Sequence, residues 1–279
     1  MRIPAPAKIN LHLDVLGRRA DGFHALETVF QTLALADELE VEFVPGGVGI
    51  TLACSDPTIP ADATNLAWRA AAAVLAQRPG CGGVALRLAK HIPHGAGLGG
   101  GSSDAASVLL ALNHQLAEPL TSGELAAIAL QLGSDVPFFL DGGTAHATGR
   151  GEELTALPPL PPTPVTILMP AARLPTPAVF RELTDAERGP RPARGVAWAV
   201  GASRTPEALL HNRLTTAAVR LCPAVGELLT WLGTQGVPHL MSGSGAACFA
   251  LGHLDPPPGV TAWRTVTGPG AGTGLRPRH

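Results

Sequence analysis

Five of the seven residues from Gly95 to Gly101 are glycine, and Ser102 and Ser103 follow them directly. Beyond the serines, Ala105, Ala106, Val108, Leu109, Leu112 and Leu116 recur at steps of three and four, the stripe of a helix with a buried face. A loop stripped of side chains that runs into a helix N-terminus offers unpaired N–H groups and the positive end of the helix dipole. Together these suit an anion, phosphate above all. A flexible turn would need only a few glycines and would not explain the paired hydroxyls and the small-residue helix beside them. Pro93, His94, Gly95, Ala96, Gly97, Leu98, Gly99, Gly100, Gly101, Ser102 and Ser103 therefore read as a phosphate cradle. No lysine follows the glycines, so this is not a Walker A loop. Gly95, Gly97 and Gly100 fit G-x-G-x-x-G, but the acidic residue on a following strand that a dinucleotide site needs is missing.

Lysine is scarce. Of 20 basic residues only Lys8 and Lys90 are lysines, and the rest are arginine. An ammonium is a compact point charge that the planar guanidinium does not replace, so these two positions stand out, while a plain surface-strand role for Lys8 stays open beside its apolar neighbours Ala7 and Ile9. Asp135, flanked by Gly133-Ser134 and Val136-Pro137, has two readings: a helix N-cap, or a carboxylate free to take a proton.

These groups need elements to position them. Residues 7–16 and 38–44 alternate like strands on either side of the charged turn Arg18–Gly22. The spacing predicts a helix over Asn65–Gln77, stopped by Pro79-Gly80, and a strand over Val84–Ala89 feeding the glycine loop. Thr121 and Glu124 form a capping box for a helix ending at Gly133. Strands are predicted over Ala145–Thr148, Val165–Met169 and Ala246–Leu251, with a Thr205-capped helix and another over Ala224–Leu232. The stiff Leu157-Pro158-Pro159-Leu160-Pro161-Pro162 run divides the chain into domains at 1–158 and 163–268. An exposed loop is expected over 185–204 and a disordered tail over 269–279. The result is an α+β protein of two lobes with a cleft between them.

Composition narrows the function classes. The chain has 279 residues, 46% of them apolar, a net charge of −2 and no apolar run near 18 residues, which fits a soluble globular protein with no membrane partner. The charge and the absence of a basic patch argue against nucleic acid, and no His/Asp cluster suits a metal-dependent phosphatase. The N-terminus lacks the layout of a signal peptide. Cys54, Cys81, Cys222 and Cys248 are scattered, as expected of buried thiols in a reducing cytoplasm.

Pro6–Leu11, the loop from Pro93 to Ala106, and Met241–Ala247 resemble, in order, the three motifs of the GHMP small-molecule kinases. Ala20–His24, Glu27–Gln31, Gly133–Phe139 and Pro175–Phe180 narrow the resemblance to one branch, which phosphorylates the 2-hydroxyl of a cytidine-diphosphate-linked methylerythritol in non-mevalonate isoprenoid biosynthesis. The resemblance covers nearly the whole chain. It implies a two-lobed GHMP kinase fold, with an N-terminal ribosomal-protein-like α/β domain and a C-terminal ferredoxin-like α+β domain. It also implies ATP and Mg2+ as cofactors, and a monomer or weak homodimer. Asp135 becomes the catalytic base and Lys8 the cation beside the accepting oxygen. The glycine loop takes the triphosphate, and Ser102 or Ser103 reaches Mg2+. Lys90 and Asn65 contact adenine or ribose, although Asn65 serves equally well as a helix start. Phe23 and Phe180 sandwich the cytosine, with Phe23 standing where relatives usually carry tyrosine. His24 reads the base edge or is a satisfied turn histidine, Asn10 holds the substrate, and Phe30 and Thr176 line its pocket. Homoserine and mevalonate kinases share the phosphate loop but lack the Asp21–His24 and Thr176–Phe180 segments. An RNA-binding module is the non-enzymatic alternative, disfavoured by the charge.

Overall fold

Strand β1 (Arg2–Arg18) carries two jobs on alternate residues, as a strand's period of two allows. Ala7, Ile9 and Leu11 are fully buried and face one way, into an apolar core shared with the second lobe. Lys8 and Asn10 face the other way and line the cleft. Register shifts between Pro6 and Lys8 and between Asn10 and His12 re-aim the strand on both sides of this pair. The computed structural model describes residues 1–189 and 205–268, so most of the expected 185–204 loop and the 269–279 tail lie outside the described residues.

After the turn at 19–23, β2 (His24–Val44) returns as one 21-residue strand, where the alternation of 38–44 predicts only its last third. Its first part is buried on both faces, which hides the alternation. The first sheet runs β3 (Ile50–Cys54), β4 (Gly83–Ala89), β2, β1, and then the two-residue β8 (His211–Asn212). β5 (Thr144–Thr148) pairs with β2, and β6 (Glu153–Ala156) pairs with β5. Against its outer face pack α1 (Leu66–Gln77), α2 (Gly100–Gln115), α3 (Ser122–Leu132) and the single turn α4 (Phe138–Asp141). The Thr121–Glu124 capping box forms as expected, and α3 ends at Gly133. Val108, Leu109 and Leu112 of α2 are fully buried. At about 1.5–3 kcal/mol for each such side chain, this packing anchors the helix whose N-terminus carries the glycine loop.

The second sheet is antiparallel, in the order β11 (Val260–Val266), β7 (Pro164–Pro170), β10 (Cys248–Leu251), β9 (His239–Met241). Helices α5 (Thr176–Glu182), α6 (Thr215–Leu221) and α7 (Pro223–Thr234) pack on it. The expected Thr205-capped helix is only a 3-10 turn over Pro206–Leu209, because the chain must extend at once to enter β8. The proline run falls between β6 of the first sheet and β7 of the second, yet the two sheets are not independent. β8 comes from the second half and completes the first sheet, and Leu33 bridges to Thr267. All four cysteines are free, with Cys222 and Cys248 buried and Cys54 and Cys81 only half-buried. Among the described residues no helix is long and apolar enough to cross a membrane.

Candidate active site

A cleft of about 850 Å³ lies between the lobes, within the usual size of a small-molecule site. The glycine loop lines one end of it. Gly95, Gly97 and Gly99 all take positive φ, and Gly99 is the N-cap of α2, so the loop enters the helix with its amides bare. Two glycines are required by close approach. A Cβ on Gly97 would collide with the Ser242 carbonyl oxygen, and one on Gly99 would lie 2.7 Å from Phe139 Cζ and 3.1 Å from Lys8 Cγ. The loop is clamped from the second lobe, where Ser242 Oγ donates to the Gly97 carbonyl at 3.1 Å and Ala247 N to the Ala96 carbonyl at 3.3 Å.

Lys8 sits beneath the loop with its side chain 5% exposed. Its Nζ donates to Asn10 Oδ1 at 2.7 Å and lies 3.6 Å from Asp135 Oδ2 and 5.3 Å from the centre of the Phe30 ring. Asn10 is held in turn: its Nδ2 donates to Thr28 Oγ1 at 2.8 Å, and that hydroxyl gives its own proton to the His12 carbonyl at 2.6 Å. The hydroxyl can therefore only accept from Asn10, which turns the amide oxygen toward Lys8. Burial pulls the Lys8 ammonium below its ordinary pKa, and Asp135 opposes that shift. Asp135 lies on the turn between α3 and α4. The N-cap of α4 is Pro137 with no side-chain cap bond, so the N-cap reading of Asp135 gives way to a carboxylate that faces Lys8 and the cleft.

Pro93, His94, Gly95, Ala96, Gly97, Leu98, Gly99, Gly100, Gly101 and Ser102 all line the cleft. Ser103 is fully buried behind it, its hydroxyl without a hydrogen-bond partner among the described residues. Lys90 reaches the lining, but its Nζ is bonded to Asp37 and, at 2.7 Å, to Asp104. Burial lowers the Lys90 pKa less than the two carboxylates raise it, and the net shift is upward. Asp37 also accepts from the His91 and Ile92 amides, so this triad fixes the entry to the loop. Burial raises the Asp104 carboxyl well above the usual carboxylate range, and nearby Asp37 adds to the effect while Lys90 opposes it. Asn65 is not brought to the cleft. It caps α1, accepting from Ala67 N at 2.9 Å and donating to the Pro60 carbonyl at 2.8 Å.

Phe30, beside Lys8, and Thr176 also line the cleft, and at its other end are Phe23, His24 and Phe180. The His24 ring stacks on Phe180 with centroids 5.1 Å apart. His24 Nε2 is buried without a partner among the described residues, and burial, with Arg188 and Arg18, lowers its pKa, leaving a neutral ring with an uncommitted nitrogen. Phe23 is half exposed, which suits a ligand face better than a core position, and the Arg150 guanidinium lies 4.6 Å from its ring centre. Thr176 Oγ1 and Ser244 Oγ are 2.8 Å apart, joining α5 to the turn before β10.

Sequence reasoning missed two kinds of group. Arg18, Arg150, Arg181 and Arg188 line the cleft, Arg150 and Arg188 paired with Glu152 and Asp185, but in a chain where arginine is the general basic residue nothing marks them. Thr28 and Asn212 act through side-chain bonds to backbone carbonyls distant in sequence, for which sequence spacing carries no signal.

Residues 65–143 match the family described as GHMP kinases, N terminal domain. The chain is 44% identical over 248 residues to a 4-diphosphocytidyl-2-C-methyl-D-erythritol kinase of Dechloromonas aromatica, spanning 88% of this chain and 86% of that one. It is 45% identical over 251 residues to the protein of the same name from Thermus thermophilus, with the same coverage. A crystal structure of a 4-(cytidine 5'-diphospho)-2C-methyl-D-erythritol kinase superposes with a TM-score of 0.78 at 40% identity, covering 96% of this chain and all of that one. A homoserine kinase from Cytophaga hutchinsonii shares the fold, with a TM-score of 0.72 at 18% identity.

Proposed function

The chain belongs to the 4-diphosphocytidyl-2-C-methyl-D-erythritol kinases, a branch of the GHMP kinases, and we infer from its cleft how it performs that reaction. It is a small-molecule kinase that transfers the γ-phosphoryl group of ATP to the 2-hydroxyl of 4-diphosphocytidyl-2-C-methyl-D-erythritol, a step toward isoprenoid precursors. The observation that carries the mechanism is the meeting of three parts in one cleft: the bare amides of the glycine loop, the buried Lys8, and Asp135 at 3.6 Å from it.

In this reading the loop amides and the α2 N-terminus bind the triphosphate, as preorganised donors that need no rearrangement when charge develops. Asp135 accepts the proton of the attacking hydroxyl. Lys8, kept in place by Asn10, stabilises the negative charge on the acceptor oxygen and the transferred group, and burial strengthens that interaction. Arg150 lies over the Phe23 ring and His24 stacks on Phe180, and in this reading the cytosine stacks between the half-exposed Phe23 and Phe180. His24 Nε2 reads the base edge. The arginines lining the cleft suit the diphosphate of the substrate. Mg2+ would be held mainly by the phosphates, and Ser102, which lines the cleft in the first turn of α2, is the hydroxyl placed to reach it, whereas Ser103 is buried behind the lining. When bound, the ion neutralises charge on the phosphates.

The test is ATP-dependent phosphorylation by the purified protein of the diphosphocytidyl substrate, of homoserine and of mevalonate. The expected result is turnover of the first alone, with CMP and CDP competing against it. Turnover of homoserine or mevalonate, or indifference to cytidine nucleotides, would overturn the reading.

A further inference from the structure

Asn212 uses all of its hydrogen-bonding groups inside the protein. It is buried, its Nδ2 donates to the Met241 and Gly243 carbonyls, each at 2.8 Å, and its Oδ1 accepts from Leu214 N at 2.9 Å. Only an NH2 group can face two carbonyls, so the amide has a single orientation. The turn it holds is the one that receives the phosphate loop. Gly243 comes so close that a Cβ there would lie 2.9 Å from the Gly97 carbonyl oxygen and 3.4 Å from Lys8 Nζ. Ser242 and Ala247 of the same segment bond to Gly97 and Ala96.

The position of Asn212 is itself set by the strand that carries Lys8. His12 and Leu13 of β1 pair in parallel with His211 and Asn212. Asp14 of β1 holds one neighbour of Asn212, its Oδ1 accepting from Arg213 Nε, and the other neighbour, His211, has its Nε2 3.5 Å from the same oxygen without a hydrogen bond. Arg213 N also donates to the Leu13 carbonyl at 2.9 Å. A buried polar cluster with no part in proton or phosphoryl transfer thus has a mechanical role. It ties the second-lobe turn to the same strand that presents the catalytic ammonium.

We propose that Asn212 is a positioning residue for phosphoryl transfer, setting the Met241–Gly245 turn against the glycine loop and so fixing where the γ-phosphate lies relative to Lys8. This rests on the kinase reading above. Asn212→Asp keeps the shape and the acceptor for Leu214 N, but points a carboxylate oxygen at two carbonyls. Misplacement by about 1 Å can cost about a hundredfold in rate. For Asn212→Asp, kcat per CMP-binding site is therefore expected to fall by about that factor, with a raised KM for ATP and unchanged CMP affinity. A merely structural role would lower the melting temperature and the fraction of sites that bind CMP, but leave kcat per site and the KM for ATP intact. A kcat per site within about twofold of wild type would overturn the proposal.

If Asn212→Asp does not fold, amide exchange in the wild-type protein decides. Gly245 N–H, bonded to the Ser242 carbonyl at 2.9 Å, and Ala247 N–H should be protected before any nucleotide is added. Rapid exchange of both in the nucleotide-free protein would show a turn that is not set in advance, contrary to the proposal. Failure of the wild-type protein to phosphorylate the cytidine substrate would instead overturn the kinase reading itself, whatever the variant does.

Discussion

Replacing Gly99 with alanine separates two demands that the loop makes on glycine. Gly99 has φ +72°, and the added Cβ would fall 2.7 Å from Phe139 Cζ, 2.9 Å from Phe139 Cε2 and 3.1 Å from Lys8 Cγ. The first of these is about 0.7 Å short of the 3.4 Å at which ordinary contact begins. Phe139 is 2% exposed and packed edge-on against Phe138, so it cannot yield without moving the core. Gly46, in the turn between β2 and β3, has nearly the same φ, +70°, and a Cβ there would meet nothing within 4 Å. It therefore serves as the control for backbone strain alone. Alanine in the left-handed region costs about 1–2 kcal/mol at either site. Overpacking against Phe139 adds about 1–3 kcal/mol at Gly99 only. Gly99→Ala should therefore lose clearly more stability in urea unfolding than Gly46→Ala. Because the new methyl also presses on Lys8, its kcat should fall about 10- to 100-fold, while Gly46→Ala keeps wild-type kcat. Equal stability losses, or a Gly99→Ala enzyme with unchanged kcat, would refute the argument that close approach explains this glycine.

Two further outcomes follow from the same geometry. A carboxyl whose pKa is raised on folding holds its proton more tightly folded than unfolded, so wild-type stability falls as pH climbs above the ordinary 3.8 of Asp104. Asp104→Asn leaves Lys90 its partner Asp37 and removes that penalty. Its melting temperature should exceed wild type by about 2–4 °C near pH 8, about 1 kcal/mol, with the gain shrinking toward pH 4; a gain that grows on acidification would contradict this. Phe180→Ala should raise the KM for the cytidine substrate about 5- to 150-fold, the equivalent of about 1–3 kcal/mol of lost stacking, and leave the KM for ATP alone. Phe23→Ala should do the same. Calorimetry with CMP checks both, and unchanged CMP affinity would remove the rings from the base site.

Much of the site is legible in the sequence because its chemistry depends on residue types that are rare or constrained here. Lys8 stands out in a chain that otherwise uses arginine, and the glycine run announces bare amides that the structure shows at the N-terminus of α2. Legibility fails where tertiary contacts decide. Asn65 carries a helix-start signal beside a family expectation, and in the structure its side chain is fully used as a cap. Lys90 is marked by rarity just as Lys8 is, yet the two carboxylates that engage it come from β2 and α2, which only the fold brings together. The alternation reveals β2 over 38–44 alone because its earlier residues are buried on both faces, and burial on both faces erases the period of two. β8 has two residues, too few to leave any periodic trace, although it joins the lobes.

The central claim, that Lys8 and Asp135 carry out transfer beside the glycine loop, is tested most directly by single-turnover phosphorylation with ATP and the diphosphocytidyl substrate both saturating. Under those conditions Lys8→Met and Asp135→Asn should each slow the transfer step by about 10²–10⁴-fold while both ligands still bind. Transfer within about threefold of wild type in either variant would contradict the account.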